Sequence, residues 1–182
     1  MLQSGSIGEG EQYSFIGIRQ RHFQFEAVTA TRFAPTANGE EAGISALLND
    51  RSAFLLTAGK NDAGLSVRLS HNVDGERTEI AAAAVDTSNL FLKVTGDYLN
   101  YRFYYSEDGE SWTAVGGEVD GKQLSPAVVG GYNYTGVYIG LYASANNRES
   151  DNYADFEFFQ YSPTENSRDD WFRRQLSYAN SR

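Results

Sequence analysis

Short segments in which apolar and polar residues alternate recur along this sequence, and glycine-containing turns separate them. The clearest runs from Phe23 to Phe33, where every second position is Phe, Ala or Thr. A period of two places alternate side chains on one face of a β-strand, so this segment is predicted to be a strand with one buried face. The 18 glycines and the aromatic fraction of 14% are typical of a β protein with tight turns.

The same pattern predicts about ten to twelve short strands, nearly all joined by hairpin turns. Besides 23–33, they are 14–18, 42–48, 53–58, 67–70, 77–85, 90–95, 101–105, 112–115, 137–143 and 156–161. We expect turns at 96–97 and at 107–110, the second a primed turn because Asp-Gly adopts positive φ readily. One short helical turn is expected near Gln123. A single sheet of so many strands would curl or split, so the predicted fold is all-β, a jelly-roll β-sandwich of two antiparallel sheets.

The 182 residues suit one domain. We expect a flexible lead-in over residues 1–12, a β-sandwich domain over 13–162 and a helical tail over 163–182. Asn166 and Ser167 are suited to cap the tail helix, and acidic residues follow in its first turn. A helix of about eleven residues is marginal alone, so the tail is expected either to dock on the sandwich or to contact another chain.

Charge and composition argue against several classes of protein. Fifteen Lys and Arg against 24 Asp and Glu give a formal net charge of −9, which argues against nucleic acid and anionic membranes as partners. The sequence has no cysteine and only two histidines, His22 and His71, so disulfides, thiolate chemistry and a histidine-rich metal centre are excluded. No apolar run reaches the roughly 18 residues of a spanning helix, and no signal-peptide pattern is expected at the start. The sequence does not indicate the cellular compartment of the protein.

Paired carboxylates are the side chains that most resemble catalytic groups, because sandwich-fold glycosidases place two of them on one face of a strand. Asp155 and Glu157 have that spacing. Phe156 and Phe158 would point to the opposite face, as in any strand with one solvated side. A solvated face or a structural ligand is therefore the preferred interpretation. The sequence also has no Gly-x-Ser-x-Gly nucleophile elbow, so catalysis by this chain alone is not expected.

A resemblance to a known domain extends over most of the chain. The segments that carry it, in order, are 15–23, 25–31, 38–44, 104–113, 136–143 and 154–161. Together they resemble the C-terminal β-sandwich of family 43 glycoside hydrolases, of the β-xylosidase and α-arabinofuranosidase type, which has a concanavalin A-like fold. In that family the catalytic carboxylates lie on a separate five-bladed propeller, which nothing here resembles. The resemblance implies a non-catalytic accessory domain whose partner is a catalytic β-propeller in the same or a separate chain.

The resemblance also implies a substrate-binding residue. In the family, a loop of the sandwich carries an aromatic residue, within a Gly-Gly-Phe-Thr-Gly-like motif, to the substrate pocket of the propeller. Residues 130–136 match this motif with two extra residues and with Tyr in place of Phe. Either Tyr132 or Tyr134 is then the implied residue, and Tyr134 is favoured because it precedes Thr135. A tyrosine ring can stack on a sugar while its hydroxyl bonds to the sugar's hydroxyls, although an ordinary surface tyrosine is the alternative.

Two further assignments follow from the resemblance. The family usually shows Arg-Arg-Gln-Gln-His where this chain has residues 18–22, Ile-Arg-Gln-Arg-His, and Arg19 and His22 are implied to face the propeller. Sandwiches of the superfamily often hold a structural Ca²⁺ ion through an acidic residue on the final strand. Asp155 is the matching position, and backbone carbonyls would supply the remaining oxygen ligands.

A second function is an open alternative, namely an independent carbohydrate-binding module for xylan- or arabinan-type oligosaccharides. Exposed aromatic residues on a concave face of the sandwich would carry it. The candidates are Tyr98, Tyr101, Tyr132, Tyr134 and Tyr153. A third hypothesis is a protein interaction through the helical tail.

Overall fold

Twelve β-strands and two short helical turns make up the secondary structure of residues 13–74, 76–130 and 135–164, the part of the chain that the computed structural model describes. The strands are β1 (Ser14–Arg19), β2 (Gln24–Arg32), β3 (Glu41–Asn49), β4 (Ser52–Asn61), β5 (Gly64–Val73), β6 (Glu76–Ala84), β7 (Asn89–Asp97), β8 (Asn100–Ser106), β9 (Thr113–Ala114), β10 (Val119–Asp120), β11 (Tyr138–Ser144) and β12 (Asp155–Pro163). A 3-10 turn spans Gly121–Leu124, and a single α-helical turn, α1, spans Pro126–Val129.

The strands form two antiparallel sheets. The first sheet has the order β1-β11-β3-β4-β5-β6. The second has the order β10-β8-β7-β2-β12, and the two-residue β9 pairs with β8. β1 pairs with β11 and β2 pairs with β12, so strands from the two ends of the sequence lie side by side. The all-β fold of two antiparallel sheets predicted from the sequence is confirmed.

Side chains from the inner faces of both sheets form the main core. Ile44 and Leu56 of the first sheet and Phe25, Leu92 and Phe103 of the second are each at most 1% exposed. Burying one side chain of this size contributes about 1.5–3 kcal/mol to the free energy of unfolding. The alternation seen in the sequence therefore positions the side chains that hold the two sheets together.

Two further segments have the predicted secondary structure. The alanine-rich segment predicted over 77–85 is strand β6 rather than a helix. The expected helical turn near Gln123 is the 3-10 turn, and α1 follows it directly.

The turn predicted at residues 96–97 lies two residues later. Gly96 stays within β7, opposite Tyr101 of β8, and the chain turns at Tyr98 and Leu99. A Cβ atom on Gly96 would lie 2.2 Å from Cε1 of Phe25 on the neighbouring strand. Glycine is required here because the Phe25 ring covers it, and the sequence pattern does not show that requirement.

The primed turn predicted at 107–110 is wrong. Gly109 has a φ of +78°, but Asp108 is not among the described residues with positive φ, and a primed turn requires it. Asp108 acts through its side chain instead. Its Oδ1 accepts hydrogen bonds from the backbone N–H groups of Glu110 and Ser111, at 2.8 and 2.7 Å.

The lead-in over residues 1–12 and the tail beyond residue 164 lie outside the described residues, so the predicted boundaries at both ends stay predictions. In the described ranges, no helix is long and apolar enough to cross a membrane.

A buried carboxylate joins two loops at the end of the sandwich where β3 begins. Glu40 is 3% exposed. Its Oε2 accepts hydrogen bonds from the backbone N–H groups of Thr36 and Ala37, at 2.6 and 3.2 Å. Its oxygens also accept from Ser150 Oγ at 2.7 Å and Asn152 Nδ2 at 2.9 Å. Burial by itself raises the pKa of Glu40, but these hydrogen bonds outweigh it and lower the pKa to about 2.

The Glu40→Gln variant tests this carboxylate. A pKa that is lower in the folded state stabilises the fold above the unfolded-state pKa, and this contribution is lost as the pH falls through the folded-state pKa. We expect the variant to lose about 2 kcal/mol of stability at pH 7, or about 5 °C in Tm. The difference from wild type should shrink between about pH 5 and pH 2, as measured by thermal melts across that range.

The matched control is Glu118→Gln, which removes an exposed carboxylate paired with Arg102. A surface ion pair of this kind is worth about 0–1 kcal/mol, so the control should change Tm little. A pH-independent difference between wild type and Glu40→Gln would contradict the assignment.

Candidate functional site

Three segments meet at one end of the sandwich, which we call the hairpin end (residues 19–23, 97–100 and 135–138). Arg19 ends β1 opposite Tyr138, which begins β11. The backbone N–H of Gln20 donates to the Val137 carbonyl at 2.8 Å. The backbone N–H of Tyr98 donates to the Phe23 carbonyl at 2.9 Å. The β1–β2 connection thus bridges the start of β11 in the first sheet and the β7–β8 hairpin in the second.

Three large apolar side chains project from the hairpin end. Phe23, Tyr98 and Leu99, which we call the apolar patch, are 63%, 59% and 52% exposed. The rings of Phe23 and Tyr98 are stacked, with centroids 6.2 Å apart. Tyr98 has a φ of 56°, a left-handed conformation that costs an ordinary residue about 1–2 kcal/mol. Strain and apolar exposure at one hairpin tip are characteristic of an interaction surface.

A cavity of about 310 Å³ lies beside the apolar patch. Its lining residues are Gln20, Arg21, His22, Phe23, Tyr98, Leu99, Tyr101, Gly121 and Val137. The Tyr101 hydroxyl donates to Gln20 Oε1 at 2.6 Å, and burial raises the pKa of Tyr101, so the hydroxyl keeps its proton. His22 Nδ1 lies 3.4 Å from the Tyr161 hydroxyl. The wall of the cavity is therefore held by side-chain hydrogen bonds, while its rim is apolar.

The hairpin end contains both of the predicted interface residues. Arg19 is exposed, and its Nη2 donates to the Tyr138 hydroxyl at 3.3 Å. His22 is half-buried and lines the cavity. Their contact with a propeller stays a prediction. Tyr132 and Tyr134 lie outside the described residues, but Val137, shortly after them in the sequence, lines the same cavity.

Among the described tyrosines proposed for a carbohydrate-binding face, the two exposed ones, Tyr98 and Tyr153, lie far apart. Tyr101 is 6% exposed and packs in the core. Tyr98 follows Asp97, which pairs with Gln24 at the start of β2, whereas Tyr153 precedes Asp155, which pairs with Arg32 at its end. The two ends are the first and last residues of the nine-residue strand β2. Tyr98 and Tyr153 therefore cannot form one stacking platform.

A β-bulge changes the faces predicted for the final strand. Phe156 lies opposite Thr31 and Phe158 opposite the next residue, Ala30, so Glu157 is the extra residue in the pairing. Phe156 and Phe159 pack against the core, whereas Phe158 is 39% exposed. The expectation that Phe156 and Phe158 share the inner face is wrong. Glu157 forms a salt bridge with Arg32.

The surroundings of Asp155 bear on the predicted calcium site. Asp155 is exposed, and its register partner across the strand pair is the cationic Arg32. The described residues hold no group of three or more acidic, histidine or cysteine side chains that could bind a metal. Calcium takes six to eight oxygen ligands, so backbone carbonyls and water would have to supply nearly all of them. The site at Asp155 stays a prediction.

Thermal melting with and without a chelator tests the calcium prediction. If Asp155 holds Ca²⁺, EDTA should lower the Tm of the wild type, because an ion bound only to the folded state stabilises it. The Asp155→Asn variant should show no such difference. If EDTA leaves the Tm of the wild type unchanged, the calcium prediction is wrong.

Comparisons with known proteins agree with the fold. The sequence profile of the beta-xylosidase C-terminal concanavalin A-like domain matches residues 1–162. The chain belongs to this family. Its relatives include the non-reducing end alpha-L-arabinofuranosidase BoGH43B of Bacteroides ovatus, which is 32% identical over 81% of this chain and 27% of the relative. The xylosidase/arabinosidase of Butyrivibrio fibrisolvens is 27% identical over 80% of this chain and 28% of the relative.

A solved structure extends the likeness to three dimensions. The GH43 protein BlXynB of Bacillus licheniformis superposes with a TM-score of 0.81, at 25% identity, over 89% of this chain and 32% of that chain. This chain thus spans about a third or less of these three proteins. The resemblance drawn from the sequence motifs, to the C-terminal sandwich of these hydrolases, is confirmed.

Sequence reasoning missed most of the apolar patch of this family member. The sequence pattern makes Tyr98 a candidate only for carbohydrate binding, and it places Phe23 in an alternating strand. A signal was present in residues 97–100, Asp-Tyr-Leu-Asn, because polar residues flank two bulky apolar ones. Recognising it required the turn to be placed correctly.

Proposed function

We propose that this domain is a non-catalytic accessory sandwich that packs on the catalytic propeller of a family 43 glycosidase through its hairpin end and shapes the rim of the substrate pocket. The observation that carries the proposal is the position of the apolar patch, on the same end of the sandwich as Arg19, His22 and the start of β11. The relatives, of which this chain matches about a third or less, support a neighbour within the same polypeptide.

The chemistry of the hairpin end suits a protein partner. Exposed aromatic and aliphatic side chains become interaction anchors when a complementary surface removes them from water. Arg19 and Arg21 are exposed beside the apolar patch and would form a polar rim around an apolar centre, as protein interfaces generally have. Stacking on Phe23 holds the Tyr98 ring in place before docking, which reduces the entropy lost on association.

Reconstitution with a separate catalytic region tests the docking. The 182-residue chain is mixed with the N-terminal region of the Butyrivibrio fibrisolvens xylosidase/arabinosidase, produced without its C-terminal region. Binding is measured by calorimetry, and hydrolysis is measured with an aryl xyloside and an aryl arabinofuranoside. We expect binding, no hydrolysis by the chain alone, and greater hydrolysis by the mixture than by the catalytic region alone.

The variants Tyr98→Ala and Tyr153→Ala form a matched pair for this assay. Both remove an exposed tyrosine, 59% and 61% exposed, from opposite ends of the sandwich. Loss of an anchor at the centre of an interface typically costs about 2 kcal/mol or more, so Tyr98→Ala should weaken binding at least about tenfold. Tyr153→Ala should have little effect. Equal effects, or hydrolysis by the chain alone, would defeat the proposal.

A second pair of variants tests the substrate contact implied for residues 130–136. In the reconstituted enzyme, Tyr134→Ala should lower kcat/KM at least about fivefold, because a stacking ring contributes about 1 kcal/mol beyond its buried area. Tyr132→Ala should change kcat/KM less, and neither variant should weaken docking. If the larger loss comes from Tyr132→Ala, the assignment passes to Tyr132; if neither variant matters, both are surface tyrosines.

A further inference from the structure

A second cavity, of about 360 Å³, lies on the outer face of the first sheet, the face turned away from the core. It is lined by Gly39, Glu41, Arg68, Ser70, Arg77, Glu79 and Asn146. Glu41 pairs with Ser144, the last residue of β11, whereas Tyr138 is the first residue of that strand. The Glu41 edge of the cavity is thus at the far end of β11 from the hairpin end, and the cavity shares no lining residue with the first one.

The floor of the cavity is an ion pair that spans four neighbouring strands, from β3 to β6. Glu41 of β3 is 1% exposed, and its two carboxylate oxygens accept from Nη1 and Nη2 of Arg77 of β6, at 2.6 and 2.7 Å. Thr57 Oγ1 also donates to Glu41, at 3.0 Å, and Arg77 Nε donates to Ser70 Oγ at 2.9 Å. The three guanidinium nitrogens of Arg77 are all engaged.

Both members of this ion pair stay charged. Burial by itself raises the pKa of Glu41, but the hydrogen bonds and charge of Arg77, with hydrogen bonds from Asn146 and Thr57, lower it below its ordinary value. Burial by itself lowers the pKa of Arg77, but Glu41 raises it above its ordinary value. The two charges neutralise each other, so the floor is rigid, polar and without net charge.

The walls of the cavity carry two side chains whose hydrogen-bonding groups are unused. Arg68 of β5 and Glu79 of β6 form no ion pair or hydrogen bond with another residue in the described ranges. Arg68 is half-buried, and its Nε is buried without an acceptor, so the donors that it can offer to a ligand in the cavity are its Nη groups. A buried N–H group without a partner is uncommon and destabilising in a folded protein. Glu79 is exposed on the same face, opposite Ser70.

We propose that this cavity binds a single neutral saccharide unit. A sugar hydroxyl both donates and accepts, so neighbouring hydroxyls match a wall that offers the Nη donors of Arg68 and the carboxylate acceptor of Glu79, neither of which has a hydrogen-bond partner in the described ranges. The opposite charges of the walls and the neutral floor favour a ligand without net charge. The lining holds no aromatic ring, so recognition rests on hydrogen bonds, and the volume lies at the small end of ligand pockets. This site is independent of the docking proposed above.

Titration of the 182-residue chain with D-xylose, L-arabinose and xylotetraose tests the site, with binding followed by chemical shifts in ¹⁵N–¹H NMR spectra. We expect saturable shifts centred on residues 68, 70, 79 and 146, with a Kd of about 1–10 mM for the preferred ligand, as befits a small ligand held by a few hydrogen bonds. Binding by a free pentose indicates a monosaccharide site. Binding by xylotetraose alone indicates a site for one unit of a chain.

The variants Arg68→Met and Glu79→Gln each remove one wall group and should each weaken binding at least about tenfold. Glu79→Gln is isosteric and exposed, so it serves if Arg68→Met does not fold. The matched control is Arg51→Met, an exposed arginine paired with Asp74 near the other end of the same sheet, which should leave Kd unchanged.

Shifts that stay linear in ligand concentration for all three sugars would overturn the proposal, as would binding that Arg68→Met and Glu79→Gln leave unchanged. The docking assay uses a protein ligand and different variants, so either proposal can fail without the other.

Discussion

The packing of the two sheets against each other is the interaction on which the rest of the structure depends. A sheet with one apolar face has to bury that face, and Phe25, Ile44 and Leu92 show how completely it is buried here. Once the sheets are stacked, the ends of the strands are fixed relative to one another. The β1–β2 connection and the β7–β8 hairpin then meet because their strands are held in register, although they are distant in the sequence.

The two ends of the sandwich differ in chemistry because the stacked sheets bring different strand ends together at each. Strand ends that meet at the hairpin end present large apolar groups, including the strained Tyr98. The opposite end is closed by hydrogen bonds to a carboxylate, that of Glu40. The docking proposed above uses the apolar end, whereas the hydrogen bonds of Glu40 keep the loops of the other end in place. The length of the strands separates these two regions.

Much of the fold could be predicted from the sequence, because the period of two is a local property of the chain. The family motifs also identify the domain, and the two residues that they single out for the interface, Arg19 and His22, lie at the hairpin end, while their contact with a propeller stays a prediction. What could not be predicted depends on neighbours from other strands. Gly96 is required because the Phe25 ring of the neighbouring strand covers it. The bulge at Glu157 is defined by the pairing of the final strand with β2. The pairing of Glu41 with Arg77 joins residues on strands that are not adjacent.

The Glu40 carboxylate has a consequence for the environments in which this domain can work. Its described partners are backbone amides, the hydroxyls of Thr36 and Ser150 and an asparagine amide rather than a lysine or arginine. Dissolved ions weaken exposed ion pairs by screening them, but short hydrogen bonds to a buried group are screened much less. The loops around Glu40 should therefore keep their arrangement at high ionic strength as well as in dilute buffer.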